Sequence, residues 1–327
     1  MPDLIRAIVL GIVEGVTEFL PISSTGHLVL CERWMGMDLH DEFWGMFTIF
    51  IQIGAIAAVA VFFRARILEL LRGQPERLLT PLEISASAPL GRGGASGSGT
   101  PGSVSSEIGR VLEPATAAAV DGDDTPVTAA QRGYAVLMII LASTPLVVAY
   151  FADKWAEKHL TQPWIIGAAL AIGGVIMIVI EWLPLNITTR RIERITWKQA
   201  LGIGGAQVLA AIFPGTSRSA ATIMAGLVAG LSRPAAAEFS FFLAIPAMGA
   251  ACLYKLLKFL KHGLPSLDRV LLLVMGTLVS FLVAYAVIAV FMAYIRRHNF
   301  IPFAVYRIAL GLLVLWLTLR GTSGAAG

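Results

Sequence analysis

Glu14 and Glu18 lie four residues apart in a largely apolar run from Ala7 to Pro21. On a helix that spacing puts both carboxylates on one face. One of them could pair with Arg6 near an interface, but two on a single turn exceed what one ion pair needs. They suit a divalent cation, or a proton acceptor held beside a second charge. Ser23, Ser24, Thr25 and His27 follow directly. One hydroxyl is enough to cap the next helix. Three hydroxyls, with a histidine three positions beyond Ser24, supply a nucleophile and a base, and the histidine could itself take a phosphoryl group. Ser24, His27 and an activated water all remain open as the attacking group.

A second polar run, Pro214-Gly215-Thr216-Ser217-Arg218-Ser219, with Thr222 just beyond, has the opposite character. A helix starting there offers free N–H groups and a positive dipole end to an anion, and Arg218 adds a bidentate phosphate clamp. An acidic, hydroxyl-bearing tip facing this cradle would fit a phosphorylated substrate. In that reading Glu14 and Glu18 hold metal, while Ser24, His27, Glu18 and Arg218 do the chemistry. Ser23, Thr25, Ser217, Ser219, Thr222 and Gln52 bind substrate. Gln52 is a polar residue in an apolar span, so it lines the same cavity or bonds a neighbouring helix. Arg307 is expected to pair with a glutamate such as Glu238. His40, His159, His262 and His298 read as loop or interface residues. Cys31 and Cys252 lack metal-ligand spacing and read as buried packing residues.

The elements that position these groups must lie in a membrane. The 327 residues are 57% hydrophobic and 14% charged, with a mean hydropathy of +0.76. Soluble domains carry about 25% charged residues, so a soluble enzyme is excluded, as is a disordered or fibrous chain. The net charge of +4 reflects basic cytoplasmic loops rather than nucleic-acid binding. Glu14 and Glu18 do not belong in the apolar region of a cleavable signal peptide, so that segment is taken as mature protein.

Six stretches, 43–63, 133–152, 162–180, 239–254, 270–295 and 300–319, approach the roughly 20 apolar residues of a spanning helix. Two more, 4–30 and 199–231, are interrupted by the polar runs. Each predicts two short helices joined by a polar tip, re-entrant and shielded by protein or a water-filled cavity. In both, a Leu-Gly-Ile (at Leu10 and Leu201) leads to a proline with a serine three residues after it (Ser24 and Ser217), and Glu-Phe opening a span follows (Glu42 and Glu238). One broken hairpin plus three spans, twice over, predicts an inverted repeat, 1–183 and 199–320, in a single domain with its site where the tips meet. Residues 74–130, rich in Gly, Ser, Ala, Pro and Thr, read as a disordered loop inserted in the first repeat. Arg64, Arg66, Arg72 and Arg77, then Arg190, Arg191, Arg194 and Lys198, then Arg296 and Arg297 share one side, the cytoplasmic one. Lys255, Lys258 and Lys261 oppose that assignment.

These residues also resemble a known family. The stretch from Gly11 to His27 is similar to the first signature of the undecaprenyl-diphosphatase, or bacitracin-resistance, family, and Phe213 to Thr222 is similar to its second. Supporting similarity runs through Glu238-Phe239-Ser240-Phe241 and from Phe300 to Arg307. The resemblance covers the chain except 74–130. It implies a multi-pass enzyme of the bacterial inner membrane that hydrolyses undecaprenyl diphosphate, with Mg²⁺ or Ca²⁺, at a site facing the periplasm. It makes Glu14 and Glu18 the acidic pair, Ser24 the nucleophile, His27 the contested group, and Ser217, Arg218 and Thr222 the diphosphate holders. It implies bacitracin resistance and leaves a homodimer open. A transporter or flippase using the same anion site is the competing expectation, because broken helices in inverted repeats also build transporters.

Overall fold

The computed structural model describes residues 2–38, 41–72, 127–148, 162–260 and 266–323. Among them the chain is all-α, apart from one isolated bridge between Thr189 and Leu231. The helices are α1 (Asp3–Thr17), α2 (Ser24–Trp34), α3 (Glu42–Phe62), α4 (Arg64–Arg72), α5 (Ala129–Ser143), α6 (Pro163–Trp182), α7 (Trp197–Ile212), α8 (Arg218–Val228), α9 (Arg233–Leu260), α10 (Leu267–Ile295) and α11 (Ile301–Ser323). The spans Glu42–Phe62, Ala129–Val148, Pro163–Trp182, Arg233–Leu257, Leu267–Ile295 and Ile301–Arg320 are long and apolar enough to cross a bilayer. They match the six expected stretches.

Local chemistry sets the boundaries. Thr128 and Thr196 each open a helix with a capping box, their side chains accepting from the amides of Gln131 and Gln199 while those glutamines reach back. The expected disordered loop therefore ends early, since Ala129 and Ala130 are already helical; its residues 74–126 lie outside the described residues, as do His40, His159 and His262. Helix α9 begins six residues before the expected span, so Glu238 is inside it rather than at its mouth. Helix α4 was not anticipated.

The two interrupted segments are pairs of short helices, α1–α2 and α7–α8. At about 1.5 Å per residue neither α1 nor α7 crosses a bilayer core of about 30 Å. Each second helix starts at a serine N-cap in the left-handed region, Ser23 with φ 76° and Ser217 with φ 69°. Ser23 therefore takes the place that Ser217 has in the other hairpin. The expected match of Ser24 with Ser217 shifts by one, and Arg218 falls where the first hairpin has Ser24.

Helices α1 and α3 pack on α10, α5 packs on α7, α6 packs on α11, and α9 packs on α3. In lipid the apolar surface gives little drive to associate, so close backbone approach through small residues does that work. A Cβ on Gly11 would sit 2.7 Å from the Gly276 carbonyl oxygen, and one on Gly15 2.8 Å from that of Ser280. Gly204 meets Ala142, and Gly167 meets Gly311, in the same manner. At the end of the molecule bearing α4, Arg66 reaches Glu69, Glu193 and Glu238, and Arg233 pairs with Glu181.

Candidate active site

The two hairpin junctions meet. Glu18, the residue closing α1, takes a hydrogen bond from Ser24 Oγ on Oε2 at 2.5 Å and one from Arg218 Nη2 on Oε1 at 3.0 Å. One carboxylate thus joins the hydroxyl of one hairpin to the guanidinium of the other. The Arg218–Glu18 pair is largely buried, with side chains 15% and 6% exposed. Arg218 also donates from Nη1 to the Ser240 carbonyl at 3.1 Å, and its guanidinium carbon lies 5.8 Å from the Phe19 ring centre. Both guanidinium arms are held, so the group is pre-oriented.

Glu14 is fully buried, and neither of its oxygens has a hydrogen-bond partner among the described residues. It does not pair with Arg6, which bonds Asp3 at 3.0 Å instead. A buried carboxylate with open lone pairs fits a cation. Among the described residues no group of three or more His, Cys, Asp or Glu side chains is arranged to hold a metal. Glu14 and Glu18 would therefore be the protein's share, which suits Mg²⁺ in particular: it is commonly held by one or two carboxylates, waters and substrate phosphate oxygens.

His27 is not on Ser24. Its Nδ1 lies 2.6 Å from the Ser23 carbonyl, so Nδ1 carries the proton and donates. Its Nε2 lies 2.7 Å from the Tyr306 hydroxyl, which then donates to it, and the two rings stack at 5.6 Å. Both ring nitrogens are engaged, and the side chain that accepts the Ser24 hydrogen bond is Glu18. The histidine braces the left-handed Ser23.

The remaining hydroxyls divide by where they point. Ser23 and Ser217 accept from the amides of Gly26 and Ala220, as N-caps do. Ser219 donates to the Leu20 carbonyl at 2.8 Å, tying the second hairpin to the first junction. Thr222 is fully buried and bonds the Arg218 carbonyl at 2.8 Å and Ser240 Oγ at 2.6 Å, so it supports Arg218 from behind. Thr25 is exposed on the first turn of α2. Gln52 faces Cys252, whose thiol lies 3.8 Å from Oε1; Cys31 and Cys252 are both free.

Arg307 does not pair with Glu238. That carboxylate takes Arg66 Nε at 3.0 Å, while Arg307 donates to backbone carbonyls. Ser240 and Tyr306 were missed in the sequence. Ser240 lies two residues past the Glu-Phe pair that echoes Glu42-Phe43, and Tyr306 directly precedes the intramembrane Arg307; those neighbours were the available signals.

The family model described as bacitracin resistance protein BacA matches residues 7–313. The undecaprenyl-diphosphatase of Koribacter versatilis (strain Ellin345) is 39% identical over 331 residues, covering 98% of this chain and all of the relative. That of Sorangium cellulosum (strain So ce56) is 38% identical over 95% of this chain and 85% of the relative. That of Lactiplantibacillus plantarum is 38% identical over 96% and 98%.

Proposed function

Because the chain belongs to the bacitracin resistance protein BacA family, we propose that it hydrolyses undecaprenyl diphosphate to undecaprenyl phosphate and inorganic phosphate. It is a multi-pass membrane enzyme that returns a lipid carrier of cell-wall synthesis to use. Bacitracin resistance follows, since removing the diphosphate form removes that antibiotic's target.

The observation that carries the mechanism is Glu18 joining Ser24 and Arg218. Glu18 takes the Ser24 proton as the oxygen attacks the terminal phosphorus. The bond from that phosphorus to the bridging oxygen breaks, and undecaprenyl phosphate leaves with the electron pair. Water then attacks the phosphoserine, the bond from phosphorus to Ser24 Oγ breaks, Glu18 returns the proton to that oxygen, and inorganic phosphate leaves. Arg218 is placed to neutralise charge on the equatorial oxygens, where positioning and electrostatics supply most of the rate. Mg²⁺ or Ca²⁺, held by Glu14 with Glu18, would screen the diphosphate charge. Attack by His27 is less favoured because its two nitrogens are already bonded.

Several observations support the inverted repeat, 1–183 and 199–320. The junction serines share the same unusual φ and the same cap bond. Exchanging α1 with α7, α3 with α9, α5 with α10 and α6 with α11 preserves the main packing pairs. On that arrangement the hairpins are re-entrant from opposite faces, and the site opens to the periplasm beside the exposed Thr25.

The test is phosphate release from undecaprenyl diphosphate by purified protein in detergent, with and without Mg²⁺ or Ca²⁺. Wild-type protein is expected to release phosphate in a metal-dependent manner; none under any condition would end the reading. Arg218→Ala is expected to lose about 10²–10³ in kcat, as loss of a preorganised charge-stabilising group does. Full activity in Ser24→Ala would transfer the attack to water.

A further inference from the structure

Among the described residues Arg307 is the bulkiest side chain that is completely buried, and its hydrogen bonds there all go to carbonyl oxygens. From α11 it reaches Leu170 and Ala169 of α6, each at 3.4 Å. It reaches Pro21 of the first junction at 3.3 Å, and Gly215 and Thr216 of the second at 3.1 and 2.9 Å. A guanidinium keeps its charge in a protein, and burying one away from any carboxylate is costly. Gly173 makes the room, since a Cβ there would run into Nη2 of Arg307.

The consequence lies in the peptide planes. In a trans peptide the carbonyl and the next residue's N–H point in opposite directions. The Thr216 carbonyl is drawn onto Arg307, so the Ser217 N–H is turned away from it. The N–H groups that Arg307 orients elsewhere are used locally: Ile22 N–H donates to the Leu20 carbonyl at 2.8 Å and Thr216 N–H to that of Phe213 at 3.1 Å. The Ser217 N–H has no acceptor among the described residues. It stands next to Arg218, the residue bonded to Glu18.

We propose that Arg307 is a positioning residue for the diphosphate. It turns the Thr216–Ser217 peptide so that the Ser217 N–H faces a substrate phosphoryl oxygen, and it ties that peptide to the first junction through Pro21. The inference rests on the hydrolase reading above and concerns a residue that touches neither substrate nor metal.

Two variants separate positioning from mere support of the fold. Arg307→Lys keeps the charge but loses the planar fork that spans both junctions. Gly173→Ala keeps the arginine and displaces its fork. The measurements are kcat and KM for phosphate release from undecaprenyl diphosphate, and inhibition by inorganic pyrophosphate as an anion probe, on detergent-purified protein with the folded fraction measured alongside. Arg307→Lys is expected to lower kcat/KM of the folded fraction by about tenfold to a hundredfold, as a small misplacement of a binding group does. Pyrophosphate inhibition should weaken in parallel, and Gly173→Ala should move the same way by less. Should Arg307→Lys fail to fold, Gly173→Ala carries the test alone. Variants that only lower the folded fraction, with wild-type KM and pyrophosphate inhibition in what remains, overturn the proposal while leaving the hydrolase reading intact. Wild-type protein that releases no phosphate overturns that reading instead.

Discussion

Glu14 and Glu18 occupy the same face of one turn yet have opposite surroundings. Glu18 is fully committed, with one oxygen on Ser24 and the other on Arg218. Glu14 has no hydrogen-bond partner among the described residues. Their conservative variants should therefore separate the two roles. Glu18→Gln removes the proton acceptor and should lower kcat by about 10²–10⁴, the usual contribution of a general base, and, because Glu18 would share the metal, it should shift Mg²⁺ activation as well. Glu14→Gln should leave the junction bonds in place and move half-maximal activation by Mg²⁺ to higher concentration. A Mg²⁺ titration of phosphate release for each variant reads this directly; an unshifted titration in Glu14→Gln would show that Glu14 does not hold the metal. The acidic pair was legible in the sequence because charge is scarce in apolar segments. The pairing of Ser24 with Glu18 rather than His27 was not. It depends on the left-handed Ser23, which turns the start of α2 and hands its carbonyl to the histidine. Spacing along a chain does not show where a turn in that region sends its neighbours.

The hairpins work as elements because each junction forces a serine into a backbone region that L residues seldom occupy and then uses its side chain as a cap. That combination predicts an order of stability. Ser23→Gly loses the cap bond but occupies φ 76° without strain, and glycine at an N-cap costs only a few tenths of a kcal/mol. Ser23→Ala loses the cap, about 1 kcal/mol, and keeps the strain. Thermal unfolding in detergent should place Ser23→Ala below Ser23→Gly, and the reverse order would mean that a φ of 76° at this position carries no strain for a side chain. The seam between α1 and α10 is tested by Gly15→Leu, whose side chain would have to displace the Ser280 backbone. Overpacking of this kind costs about 1–3 kcal/mol. The six spans could be read from length and hydropathy, and the broken helices from their Pro, Gly and Ser content. Helix α4 could not, because its place depends on Arg66 meeting Glu193 and Glu238, partners far along the chain. The same reason hid the backbone ties of Arg307: a guanidinium that solvates carbonyls leaves no partner residue type to look for.

Charge divides the whole molecule between its two faces. The ion cluster around Arg66, the Arg233–Glu181 pair and the described basic residues Arg190, Arg191 and Arg194 lie at the end where α3 finishes and α9 begins. Arg66 contacts three carboxylates, on α4, on α9 and on the turn between α6 and α7. Arg66→Ala should destabilise by about 3 kcal/mol, near the lower bound for breaking a buried pair, since that side chain is 28% exposed. By the positive-inside rule this end is expected to be cytoplasmic, which would put the α2–α3 connection outside, together with the ends of the hairpin that carries Glu14 and Glu18. In a background with Cys31 and Cys252 replaced by serine, a cysteine at Asp38, in that connection, should react with a membrane-impermeant maleimide on intact spheroplasts. A cysteine at Arg190 should react only after lysis. Both positions are exposed, so a failure to label reports the membrane rather than burial. Labelling of the Arg190 position from outside would invert the protein and move the acidic hairpin to the cytoplasmic face. A periplasmic site would then be untenable, whatever the chemistry of Glu18.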